Sequence, residues 1–252
     1  MTDDTGAGRG FTGFIRKRRM ILAAGLVGVL LGASAMALAP GAPVSGQDRA
    51  AIEKIVHDYI LAHPEIIPEA MERLQAREIA KVVDANRKAI ETPFAGAWAG
   101  AADGDVVLVE FFDYACGYCR ASQPDVERLL KEDKKLKVVW REFPVLGEDS
   151  RKAALVSLAA AEAGKYKAFH DKLFALGRPS PDAVKSAQAA AGTSASPSAS
   201  PRFDAEIEKN YDLARALSLT GTPAFIVGGK VLQGAVGYDA LKDAIVEARA
   251  KK

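Results

Sequence analysis

Cysteine is nearly absent from this chain: two in 252 residues, Cys116 and Cys119, with two residues between them. A framework of stapling disulfides is thereby excluded. With 49% apolar and 26% charged residues, the chain is long enough to bury a core without one. Histidine is almost as scarce. Of His57, His63 and His170, two lie in a separate N-terminal region, so they and the cysteine pair make a poor four-ligand zinc set. Charge of one sign is also missing. The net charge is +2, with basic and acidic residues interleaved, and no cluster of Arg and Lys with aromatics marks a nucleic-acid groove. Nucleic acid is set aside as a partner.

Long apolar runs are absent too, except one. Arg16, Lys17, Arg18 and Arg19 precede Met20 to Ala39, twenty residues without a charge. The run is an export signal or a membrane anchor. Twenty residues just suffice to span a bilayer, yet the strongly hydrophobic centre, Ile21 to Leu31, is short and runs into "GASAMALAP". Cleavage after Ala35 or Ala37 fits a small-x-small rule; retention would leave residues 20–39 as an inner-membrane anchor. Either way the basic cluster stays cytoplasmic, which places the remainder in a periplasmic or other extracytoplasmic, oxidising compartment. Residues 1–40 are therefore read as signal or anchor, and 41–47 as a linker.

Residues 48–91 read as a helical stalk. Ile52, Ile55, Val56, Tyr59 and Ile60 recur at helical spacing, Pro64 interrupts, and a second run from Pro68 carries Met71, Leu74, Ile79, Val82, Val83 and Ile90. These helices either pack as cover on the main domain or pair with copies of themselves, making a dimer or trimer. The body, residues 92–252, opens with the doubly buried strand Val106 to Phe112. A helix from Gly117 to Lys131 follows, then a strand at 136–143 and a helical region from Ser150 to Ala191. "TSASPSASP" at 193–201 cannot pack a core. Helical periodicity resumes from Phe203 to Leu219, and a hairpin turning at Gly228-Gly229 and a helix from Tyr238 close the chain. This order, α/β with an all-helical insertion at about 149–219, is that of a thioredoxin fold.

The cysteines fall where the first body strand hands over to its helix. A structural disulfide across two residues closes too small a loop to stabilise much. Redox chemistry fits better: a cysteine at a helix N-terminus faces unpaired N–H groups and the positive end of the dipole, and a second one turn on can resolve a mixed disulfide. Glu110, in the middle of "VVLVEFF", is expensive to bury without a purpose or a partner such as Arg141.

The segments "VVLVEFFDYACGYCRASQP", "WREFPVLG" and "TGTPAFIVGG" resemble the DsbA family of thioredoxin-fold thiol-disulfide oxidoreductases. "IEKIVHDYILAHPEIIPEAMERLQ" resembles the N-terminal region of the suppressor-of-copper-sensitivity (ScsC-like) branch, whose members oligomerise through it. The resemblance implies Cys116 as nucleophile and Cys119 as resolving thiol, their disulfide serving as the redox group without a metal or other cofactor. It also implies that Thr222 and a cis Pro223 face the pair and bind substrate, and that Glu110 is the buried acid moving the proton of Cys119. Gly117 and Tyr118 depart from the Pro-His of strongly oxidising members and resemble the dimeric periplasmic isomerase. The implied activity is disulfide isomerase or reductase on cysteine-bearing proteins, with a membrane redox partner. A disulfide-donating oxidase and a Cu(I)-binding copper-tolerance protein are the alternatives. Trp140, Phe143, Pro144, Phe111 and Phe112 read as core, Asp113, Tyr114 and Arg120 as flanking the site, and His170 as a packed or surface residue.

Overall fold

The structure is a computed structural model and describes residues 46–194 and 200–251. The expected signal or anchor, most of the linker and the centre of the Ser/Ala/Pro tract lie outside the described residues. Among the described residues no helix is long and apolar enough to cross a membrane. The chain divides into two compact units, Met1–Ile67 and Pro68–Lys252.

In the first unit, helix α1 (Gly46–Ala62) leaves Ile52, Ile55, Val56 and Tyr59 exposed. It ends where Pro64 has no N–H to continue the ladder, and Ile66 N–H closes a turn on the His63 carbonyl at 3.2 Å. The next helix, α2 (Ile66–Glu91), runs on into the second unit. Of the expected stalk, the part from Pro68 onward thus falls in the same compact unit as the sheet.

The second unit is built on a five-stranded sheet of β1 (Trp98–Gly100), β2 (Val106–Phe112), β3 (Leu136–Glu142), β4 (Ala224–Val227) and β5 (Lys230–Gln233). Their order is β1-β3-β2-β4-β5, with β2 and β3 parallel and the other pairs antiparallel. Between the strands lie α3 (Gly117–Glu132), then α4 (Glu148–Glu162), α5 (Tyr166–Leu176), α6 (Pro181–Ala191) and α7 (Pro201–Ala216), with α8 (Gly237–Ala250) at the end. The helical region expected from Ser150 to Ala191 is three helices. Gly164 and Gly177 adopt positive φ at its breaks, and the Ser180 hydroxyl caps α6 by accepting Ala183 N–H. Strand β1 escapes the sequence pattern because three residues are too few to show a period.

β2 is buried on both faces, and its alternation sends successive side chains to different cores. Leu108 and Phe112 join Val126, Leu129, Trp140, Phe169 and Leu241. Val109 and Phe111 join Val83, Ile90, Leu213 and Leu217 on the other side. Complete burial of Val83 and Ile90 is worth about 1.5 to 3 kcal/mol each, which fastens the end of α2 to the sheet.

Arg141 completes that attachment. It pairs with Phe111 in the strand register, on the face opposite Glu110, so it does not meet that acid. Its guanidinium instead donates to Glu206 Oε1 at 2.6 Å and to the carbonyls of Ala89, Ile90 and Thr92, which a helix C-terminus leaves unpaired. Replacing Arg141 by Met leaves the buried Glu206 carboxylate to the Lys209 ammonium at 3.3 Å and strands these carbonyls. Urea unfolding of Arg141→Met should show a loss of about 3 to 5 kcal/mol; a loss under 1 kcal/mol would show that α2 is held by apolar contact alone.

Candidate active site

Chain direction at the end of β2 sets the geometry of the cysteine pair. Asp113 accepts Ala115 N–H and Leu146 N–H on its two carboxylate oxygens, at 2.7 and 2.8 Å, and its carbonyl accepts Cys116 N–H at 3.0 Å. The loop is thereby held so that Cys116 becomes the N-cap of α3, with φ −76° and ψ 116°. Its sulfur accepts the Cys119 N–H at 3.3 Å, in place of the hydroxyl or carboxylate of an ordinary cap. Cys119, one turn on, is fully buried, whereas Cys116 is 5% exposed and Tyr118 between them 71% exposed. Gly117 has open space where a side chain would begin.

The loop before β4 closes the site from the other side. Thr222–Pro223 is a cis peptide, and the Cys116 thiol donates to the Thr222 carbonyl at 3.3 Å. Two segments 106 residues apart thus meet at one sulfur. Among the described residues no group of three or more His, Cys, Asp or Glu is gathered to hold a metal.

Glu110 lies behind Cys119. The pleat of β2 points it to the α3 side with Leu108 and Phe112, and it has no solvent exposure. Trp140 Nε1–H donates to its Oε2 at 3.1 Å, and Gln123 Nε2 lies 3.4 Å from its Oε1. Burial pushes the Glu110 carboxyl up to about 8, against the pull of these two donors. Burial also pushes the Cys119 thiol well up, with the charges of Glu110 and Cys116 adding to it. An acid that is mostly neutral near pH 7 and ionises toward pH 8 therefore stands beside a thiol that releases its proton reluctantly; its ionised form can take that proton and its neutral form can return one.

The sequence-predicted residues Cys116, Gly117, Tyr118, Cys119, Glu110, Thr222 and Pro223 all fall in this one region. Sequence reasoning missed the bonding roles of Trp140, Gln123 and His170. Trp140 is core as expected, but its indole also serves Glu110. Gln123 had a signal: it stands four residues after Cys119, hence on the same helix face. His170 had none. It is fully buried against Phe112, Tyr114, Trp140, Tyr166 and Phe174. Arg120 keeps Nε and Nη2 buried without a hydrogen-bond partner among the described residues.

The raised carboxyl makes a stability prediction. Between the unfolded value near 4.5 and the folded value near 8, the folded state holds a proton that the unfolded state has lost, so stability falls as pH rises, by at most about 1.4 kcal/mol per pH unit. His170, held neutral by burial and by Lys167, acts in the opposite sense only below about pH 6.5. Urea unfolding from pH 6.5 to 8 should therefore show Glu110→Gln gaining stability relative to the parent as pH rises. Parallel curves would mean that Glu110 titrates normally.

The chain has recognisable relatives. A family model described as DSBA-like thioredoxin domain matches residues 107–246, and one described as Copper resistance protein ScsC N-terminal domain matches residues 48–81. A solved linker-deletion variant of Proteus mirabilis ScsC is 27% identical, with a TM-score of 0.67 over 84% of this chain and 100% of that one. A thioredoxin-like oxidoreductase from Silicibacter pomeroyi is 36% identical, with a TM-score of 0.62 over 66% of this chain and 98% of that one. A curated relative, Na(+)/H(+) antiporter NhaA 3 of Salinispora tropica, is 31% identical over 157 residues, 59% of this chain. The match spans only 24% of that antiporter's length. With a domain match over more than half of its length, this chain belongs to the DSBA-like thioredoxin family, in the branch that carries an ScsC N-terminal domain.

Proposed function

We propose that this protein is a thiol-disulfide oxidoreductase working on other proteins outside the inner membrane, as an isomerase or reductase. The observation that carries the reading is the placement of Cys116: an N-cap sulfur beside the Thr222 carbonyl, with Cys119 and Glu110 stacked behind it. The Cys116 thiolate attacks one sulfur of a substrate disulfide, forming a mixed disulfide and expelling the other sulfur as a thiolate. In isomerisation a second substrate thiol attacks the mixed disulfide, and Cys116 leaves reduced with no net electron flow. In reduction Cys119 gives its proton to the ionised form of Glu110, a minor fraction near pH 7 that grows toward pH 8, and attacks Cys116, releasing a substrate dithiol and leaving Cys116–Cys119 oxidised by two electrons. A dithiol reductant, on this reading a membrane protein, then resets the pair. The cis Pro223 loop offers backbone beside the sulfur for an extended substrate, and Tyr118, Val145 and Leu146 give exposed apolar surface.

The isomerase reading draws on α1. Its exposed Ile52, Ile55, Val56 and Tyr59 form an apolar stripe suited to a second and third copy of the chain. Several sites on one assembly would hold a misfolded substrate through repeated attempts. Residues 20–39, if retained, would anchor the assembly to the membrane.

Cys119→Ser should trap a covalent complex with a cysteine-bearing substrate, visible on a non-reducing gel, whereas Cys116→Ser should trap none. Reactivation of scrambled ribonuclease decides the finer claim. The parent chain should reactivate it, and Ile55→Glu with Tyr59→Glu should dissociate the oligomer and lower reactivation severalfold while single-turnover thiol exchange persists. A parent chain that oxidises reduced ribonuclease but never repairs the scrambled form would make it a disulfide donor.

A further inference from the structure

Glu110 has no solvent exposure, yet a proton-handling acid must be set to the right affinity by its neighbours. One of its two donors, Trp140, is fixed by the sheet. The other, Gln123, sits on α3, half-buried, with one side against Glu110 and the other lining a cleft shared with Arg120, Pro124, Glu127 and Phe174. A glutamine there could turn its amide either way, offering Glu110 a donor or an acceptor.

His170 decides between the two. Its Nε2 lies 3.1 Å from Gln123 Oε1, and its Nδ1 lies 3.3 Å from the Tyr114 hydroxyl, which in turn lies 2.8 Å from Ser157 Oγ. An ionised Glu110 needs the Gln123 N–H, so Oε1 must turn away and needs a donor of its own. The Nε2–H tautomer of a neutral imidazole supplies it, leaving Nδ1 to accept from Tyr114. The ring cannot swing away, because Phe112, Trp140, Tyr166 and Phe174 enclose it with centroids 4.7 to 5.4 Å distant. A chain of contacts therefore runs from α4 and α5 of the helical insertion to the acid behind the cysteines.

We propose that His170 and Gln123 are positioning residues for proton transfer at Cys119: the imidazole holds the Gln123 amide with its N–H toward Glu110. The helical insertion thereby tunes how readily that acid takes the proton of the resolving thiol. This rests on the reading of Glu110 as the proton acceptor. Cys119 on α3 is the titratable group coupled to the acid, Tyr114 in the preceding loop and Tyr166 and Lys167 on α5 face the imidazole, and β4 presents the uncharged Phe225 beside Glu110.

The test is the pH dependence of resolution, followed on the full chain with a fluorescent peptide thiol coupled to Cys116 and released by Cys119. In the parent the rate should rise through a midpoint, which Glu110→Gln abolishes. His170→Phe keeps the ring packing but loses the donor, and Gln123→Leu loses the amide; each should raise the midpoint by at least about half a pH unit. His170→Gln, which can place an amide N–H where Nε2 stood, should restore it. If Glu110→Gln abolishes the midpoint but the folded His170→Phe and Gln123→Leu variants retain the parent value, the inference falls and the role of Glu110 stands. A shift in His170→Phe that His170→Gln does not reverse would assign the effect to repacking and overturn the inference. A midpoint unchanged in Glu110→Gln would remove the role of Glu110 and the inference with it. Gln123→Leu lies on a half-exposed helix face, so it keeps the test usable should His170→Phe fail to fold.

Discussion

A carboxylic acid in the central strand of a doubly covered sheet is the constraint on which the rest of this structure depends. Moving an isolated carboxylate into an apolar core is too costly for a domain of marginal stability, so the acid either takes up a proton or recruits donors. Glu110 does both. Its carboxyl is shifted toward the neutral form by burial, while Trp140 from the neighbouring strand and Gln123 from the following helix supply donors to its oxygens. The same burial that raises this acid raises the Cys119 thiol. Two groups that both resist ionisation share one dry volume, and once a single proton has left the pair the one that remains sits on the acid or the thiol.

The helical insertion is bound into this chemistry as well as into the fold. Its helix α5 brings His170 and Phe174 against Phe112, Tyr114 and Trp140, residues of the loop and strands that carry the cysteines. Glu142, also buried and also pushed toward the neutral form, receives the Tyr166 hydroxyl at 3.2 Å from the same helix. On the opposite face of the sheet, α2 and α7 meet around Arg141, Glu206 and Asn210. The sheet thus separates a layer that holds the buried acids Glu110 and Glu142 from a layer that anchors the leading helix. A truncation placed at Thr92 would remove α2 and uncover Arg141 and Phe111, whereas substitutions on α1 leave the sheet intact.

The division of labour along the chain follows. Helix α1 has helical periodicity but no core to bury its stripe among the described residues of its own unit, the kind of surface the proposed oligomer would use. The thioredoxin-fold unit has its own core on each face of the sheet.

Much of this was legible in the sequence because it is written in local patterns. The apolar run of β2, the breaks at Pro64 and Gly228-Gly229, and two cysteines at a strand-to-helix junction each follow from the chemistry of a few consecutive residues. So does the suspicion attached to Glu110, since a charge within an apolar run is a local anomaly. What only the tertiary structure decided are pairings between distant segments. The Thr222 carbonyl reaches Cys116 across 106 residues, and His170 reaches Gln123 across 47. Arg141, a plausible partner for Glu110 by charge, is turned to the other face by the one-residue difference in register. A strand's alternation tells which residues share a face. Which helix covers that face, and which side chain of that helix finds the acid, depends on how the whole sheet is wrapped.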